Sequence, residues 1–201
     1  VDIEMVLDRY RKDVDSILEK ISRPFYNLEP NTISIFSLIL AAISGLFLYL
    51  GNIFLIFASI SIIISSMLDA IDGKVARVLG KASKKGDFID HMIDRYSDTF
   101  IVLGFTFSSY VHWYTGLFAF TGIFFTSYAG TQAQAVLGKR DYGGILGRAD
   151  RLVIFIILPL LQFFIPIKFY GFSISDIFLI LIGILGNITA LQRLFRALRN
   201  L

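Results

Sequence analysis

The chain contains no cysteine, which excludes a disulfide framework and thiolate chemistry. Histidine occurs only at His91 and His112, which argues against a zinc site built on a histidine cluster. Charge is scarce: 17% of the 201 residues are Asp, Glu, Lys or Arg, against about a quarter in a soluble domain. The net charge of +3 is small, and no nucleic-acid partner is expected. There is no internal repeat or low-complexity linker. The N-terminus lacks the uninterrupted apolar core that a cleavable signal peptide requires.

Apolar residues dominate instead, at 55% of the chain with 20 Phe, and they fall in long runs that predict an all-α integral membrane protein. Residues 1–23 place Ile3, Val6, Leu7, Tyr10, Val14, Ile17, Leu18 and Ile21 at helical spacing among charged residues, the pattern of an amphipathic helix lying on a membrane surface. Pro24 and Pro30 bound a connector, giving an interfacial segment over 1–29 and a membrane domain over 30–201. Six transmembrane helices are predicted there: 32–50, with Asn31 placed to cap it; 53–77; about 86–109; about 113–137; about 151–164; and about 174–193, each near the 20 or so residues that span the hydrocarbon. Tyr110, Trp113 and Tyr114 form an interfacial aromatic belt. With six spans both termini share one side, which collects all 19 Lys and Arg except Lys168. That bias makes it the cytoplasmic side of the cell membrane.

One stretch interrupts the apolar pattern. Asp69 and Asp72 are three apart, and Asp90 and Asp94 four apart, so each pair shares a helix face. The turn near residues 80–86 can bring the two faces together. Four carboxylates held that close need cations to offset their repulsion and desolvation. Oxygen ligands suit hard divalent ions such as Mg, Mn or Ca. The pattern reads as a two-metal site that handles phosphates, the metals clamping a polyanion that aspartates alone would repel. Gly73 and Ala76 leave room for a ligand near the backbone, or else permit tight helix packing. Arg77 offers a planar fork to phosphate oxygens. A cation transporter would also carry intramembrane carboxylates, but those would be expected near the midplane with broken helices, and it would leave Gly73 and Arg77 unexplained.

The series Asp69, Asp72, Gly73, Ala76, Arg77, Gly86, Asp90 and Asp94 matches D-x2-D-G-x2-A-R-x8-G-x3-D-x3-D at every spacing. It resembles the signature of the CDP-alcohol phosphotransferase family. The resemblance implies a phospholipid synthase that moves the phosphatidyl-type group of a CDP-linked lipid onto an alcohol and releases CMP. It implies two divalent cations, Mg or Mn, on Asp69, Asp72, Asp90 and Asp94, with Asp94 also the general base, and a homodimer. It implies CDP contacts from Asn31, Thr32, Gly73, Ala76, Arg77 and Ser83; Asn31 could equally be a plain cap. The runs Asp94-Arg95-Tyr96-Ser97-Asp98, Arg148-Ala149-Asp150-Arg151-Leu152 and Thr189-Ala190-Leu191-Gln192-Arg193 are similar to those of enzymes that use inositol phosphate. Arg148, Arg151 and Arg193 would then bind the acceptor's phosphate, or the first two are ordinary loop charges. Residues 127–135 (SYAGTQAQA) are neutral where those enzymes carry basic residues. Glycerol phosphate, serine and free inositol are the other acceptors to consider. His91 and Asp87 read as structural or exposed.

Overall fold

A computed structural model describes residues 18–201. Most of the amphipathic helix expected over 1–23 lies outside these residues, of which 18–22 are helical. Six long helices follow: α1 (Pro30–Leu50), α2 (Phe54–Val78), α3 (Lys84–Thr106), α4 (Trp113–Leu137), α5 (Arg148–Phe164) and α6 (Ile174–Arg199). Among the described residues α1, α2 and α6 are long and apolar enough to cross a membrane. The other three are held below that measure by their own sequences. Charges crowd the start of α3, Thr, Ser and Gly dilute α4, and α5 has 17 residues.

The helices pack in a ring, α1–α3–α4–α6–α5–α2 and back to α1. Leu48, Ile62, Val102, Phe105, Phe155 and Leu179 fill its interior, while Leu46, Phe57, Ile60, Phe118, Phe125 and Leu181 face outwards and exposed. An apolar exterior is what a lipid solvent requires of a helical bundle. Small and polar side chains then join the helices. Ser37 and Ser65 each donate to the other's carbonyl, at 2.9 and 2.8 Å, tying α1 to α2. Thr126 donates to Gly186 O at 2.7 Å between α4 and α6. There a Cβ on Gly122 would stand 2.8 Å from Gly183 O, so glycine is what allows this close approach.

Several helix ends differ from the sequence expectation, each for a local reason. α1 starts at Pro30, so Glu29 rather than Asn31 occupies the capping position; proline is favoured in the first helical turn because its missing N–H is not needed there. α3 starts before Gly86 because Ser83 caps it, accepting from Gly86 N at 3.1 Å. α5 starts at Arg148, where Asp150 reaches back to Gly147 N at 2.8 Å. Residues 165–171 turn the chain as expected, through a small antiparallel hairpin, β1 (Lys168–Phe169) with β2 (Phe172–Ser173). Its two turn residues, Tyr170 and Gly171, both have positive φ, the geometry that matches strand twist in a two-residue loop.

Candidate active site

The acidic stretch lies at one end of the ring, where α2 ends and α3 and α5 begin. α2 stops in a Schellman arrangement: Gly80, at φ +65°, donates to Arg77 O at 3.3 Å, and Lys81 donates to Ala76 O at 2.9 Å. Glycine adopts this left-handed conformation without the Cβ penalty. The chain then turns back into α3, and the aspartates of the two helices meet.

Asp69, Asp72 and Asp90 each bring one oxygen within 4.8 Å of the others, and Asp90, His91 and Asp94 form a second such group. Asp90 is common to both. Asp72 and Asp94 are buried, at 4% and 5% exposure. Asp72 Oδ2 has no hydrogen-bond partner. A buried carboxylate oxygen with no donor is costly unless a cation meets it. The donor set, mostly oxygen with one imidazole, therefore fits a divalent ion.

Beside these carboxylates lies a cavity of about 250 Å³. Its walls include Asn31, Ser34, Gly73, Ala76, Arg77, Lys81, Ser83 and Gly86, and Asp72, Asp87 and Asp90 border it. At Gly73 a Cβ would meet only Arg77 Nη1, at 3.7 Å, so this wall is open to a ligand at backbone level. Thr32 does not line the cavity; it is exposed on the first turn of α1. A bridge from Lys81 Nζ to Glu29 Oε1, 2.7 Å, joins two residues of the cavity wall.

A family model described as CDP-alcohol phosphatidyltransferase matches residues 27–188, which includes the whole signature from Asp69 to Asp94. The chain belongs to the CDP-alcohol phosphatidyltransferase family. It is thus a membrane transferase of phospholipid synthesis. Over 98% of its length it is 31% identical to archaetidylinositol phosphate synthase of Pyrococcus horikoshii, covering 98% of that protein. Its fold is that of a phosphatidylinositol phosphate synthase from Mycobacterium tuberculosis solved with CDP-DAG bound: TM-score 0.77 at 22% identity, covering 90% of this chain and 94% of the other. A second structure of that enzyme, in complex with manganese and citrate, gives a TM-score of 0.73 at 21% identity over 92% and 87% of the two chains.

The three arginines singled out in the sequence part company in this transferase. Arg148 reaches the aspartates: Nη1 donates to Asp69 Oδ2 at 3.0 Å, and Nη2 stands 2.6 Å from Asp94 Oδ1, out of line for a hydrogen bond. Arg151, 1% exposed, pairs instead with buried Asp98 at 3.0 Å; its Nε and Nη1 have no partner. Arg193 donates to the carbonyls of Gly143, Thr126 and Tyr142 at 2.9, 2.7 and 3.1 Å. It staples the 138–147 loop to α6 and does not touch the aspartates.

Two neighbours of the site were not assigned to it from the sequence: His91, read there as structural or exposed, and Arg140. His91 shares the second group with Asp90 and Asp94, and Arg140 Nη1 lies 2.9 Å from its Nδ1. The adjacency of His91 to Asp90 was the available signal. Arg140 comes from a loop that nothing local ties to the motif. The same loop carries Asp141. Partial burial pushes its carboxyl up, but hydrogen bonds from Arg196 and Gly143 N and the Arg196 charge prevail and hold it below the ordinary range.

Proposed function

We propose that this transferase joins a CDP-linked lipid to a phosphorylated alcohol, with inositol phosphate the favoured acceptor, and releases CMP. The observation that carries the reading is the cavity bordered by Asp72, Asp90 and Arg77 and open at Gly73, together with the buried, unpartnered Oδ2 of Asp72. The name of the Pyrococcus relative supports the acceptor class, as do the Asp94–Asp98 and Arg148–Leu152 runs.

In this reading the CDP headgroup lies along Asn31, Gly73, Ala76, Arg77 and Ser83, with Thr32 beside the entrance. Arg77 forks onto the diphosphate. Asp69, Asp72, Asp90 and Asp94 would hold two divalent cations, Mg or Mn, which would neutralise the diphosphate and the charge that builds on the transferred phosphorus. Arg148 and Arg151 attract the acceptor's phosphate from the α5 side; Arg193 acts on it through the loop it anchors. Asp94, on the turn after Asp90, accepts the proton of the acceptor hydroxyl. The hydroxyl oxygen bonds to the β-phosphorus, the bond from that phosphorus to the oxygen of the α-phosphate breaks, and CMP departs with the electron pair. In the membrane, six spans over 30–201 follow an interfacial segment over 1–29. Both termini and the site face the cytoplasm, and the protein works as a homodimer.

An acceptor screen tests this. Labelled CDP-lipid is offered inositol phosphate, glycerol phosphate, serine and free inositol in detergent with Mn or Mg. The expected result is CMP release with inositol phosphate and none after chelation. Equal turnover with uncharged alcohols refutes the phosphorylated acceptor, and turnover that survives chelation refutes the metal mechanism.

A further inference from the structure

Arg148 stands in an unusual place. Its two terminal nitrogens touch carboxylates on different helices, Asp69 of α2 and Asp94 of α3. Those aspartates belong to the two different candidate metal-binding groups that Asp90 connects. The guanidinium therefore spans both groups. Neighbouring carboxylates this close repel one another, and a positive group between them relieves part of that repulsion. A divalent ion does so more strongly, and a Mg-like ion lies only about 2.0–2.1 Å from the carboxylate oxygens it binds. It would then crowd and repel the guanidinium.

The contacts are also those of a group able to leave. The approach to Asp94 Oδ1 is close but unaligned, and Arg148 Nε has no hydrogen-bond partner. The side chain keeps 27% of its surface exposed, so a route towards the solvent remains. Neither of the other candidate acceptor arginines has this freedom. Arg151 is enclosed with Asp98, and all three nitrogens of Arg193 are engaged by carbonyls.

We propose that Arg148 is a built-in counter-cation of the acidic site, one that divalent metal displaces, and that its release couples metal loading to acceptor-anion binding. The inference rests on the metal-site reading and deepens it. Before loading, Arg148 holds the α2 and α3 carboxylates together. After loading, its fork is available to an anion arriving from the α5 side. Coupling of this kind is reciprocal, so an anion on Arg148 must in turn favour the metal.

The test measures Mn binding calorimetrically on the full chain in detergent, together with the melting temperature with and without Mn. In Arg148→Gln the competitor is gone. Mn should bind about tenfold or more tightly, as expected for about 1.4 kcal/mol of lost competition. Without Mn this variant should melt lower than the parent protein, and saturating Mn should close the gap. Sulfate, used as the anion probe, should bind the parent more tightly when Mn is present and lose that dependence in the variant. Arg148→Lys keeps the charge without the fork; its Mn affinity should fall between the two, and this variant carries the test if the glutamine form does not fold. Unchanged or weaker Mn binding by both variants overturns the proposal while leaving the metal site standing, because Arg148 would then merely position the ligands. A parent protein that binds no Mn overturns both.

Discussion

Two buried carboxylates at opposite ends of the ring make an instructive pair. Asp176, near the start of α6, is fully buried, yet it lacks nothing. Its Oδ1 accepts from His112 N and Thr115 Oγ1 at 2.8 and 2.7 Å, and its Oδ2 accepts from Ser173 N and Ser173 Oγ, both at 2.9 Å. His112 Nδ1 stands 3.1 Å from Oδ2 as well. Asp72 is almost as buried, but its Oδ2 has no donor, and the carboxylates of Asp69 and Asp90 stand beside it along with Ser34 and Gly73. Burial is therefore common to both, and what separates them is whether protein donors fill the lone pairs. Asp176 completes the capping box of Ser173 and joins α4 to α6. Asp72 is poised for something the protein itself does not supply, which is how a binding group differs from a structural one.

The largest test of this contrast is activity. Asp72→Asn should lower CMP release by about a thousandfold or more, since a metal ligand supplies several kcal/mol to the transition state. Its denaturation midpoint in detergent should barely move. A variant that keeps near-parental turnover would remove Asp72 from the metal set. Asp176→Asn should do the reverse. Its amide would point an N–H at the donors of Ser173 or of Thr115 and His112, costing about 2–3 kcal/mol of stability, while turnover per folded molecule stays close to the parent. Loss of activity without loss of stability would break the comparison.

A smaller effect is expected at the cavity wall. Arg77→Lys keeps the charge and loses the fork, so the apparent KM for CDP-lipid should rise about tenfold, with the acceptor KM unchanged. A change confined to the acceptor would move Arg77 to the other substrate. The smallest effect concerns Asp141, whose carboxyl is held low by Arg196. Its stabilisation is present above the ordinary carboxylate pKa of about 3.9 and is lost as pH falls through the lower folded value. Asp141→Asn should cost less than about 1 kcal/mol at neutral pH and flatten the acid side of the stability curve. An unchanged acid limb would mean that the Arg196 pair contributes nothing there.

The sequence by itself determined what depends on local spacing. Alternation of apolar runs with turns located six helices to within a few residues at every end but one, since α6 continues to Arg199 where the apolar run ends near Arg193, and i, i+3 and i, i+4 spacing put Asp69 with Asp72 and Asp90 with Asp94 on common faces. The motif also pointed to Gly73, Ala76, Arg77 and Ser83, all of which line one cavity. Helix starts were less legible, because Ser83 and Asp150 set them through bonds to the backbone that hydropathy does not register. Only the tertiary structure decided which charges meet. Arg148 lies 79 residues from Asp69 in the chain yet donates to it, whereas Arg151, on the same helix turn, meets Asp98, and Arg193 meets a loop. A residue's type announces its charge, but its partner is chosen by how helices distant in sequence pack around the ring. For the same reason Asp72 and Asp176 could not be told apart by composition: the donors that satisfy Asp176 arrive from α4 and from its own cap, and none arrives at Asp72 Oδ2.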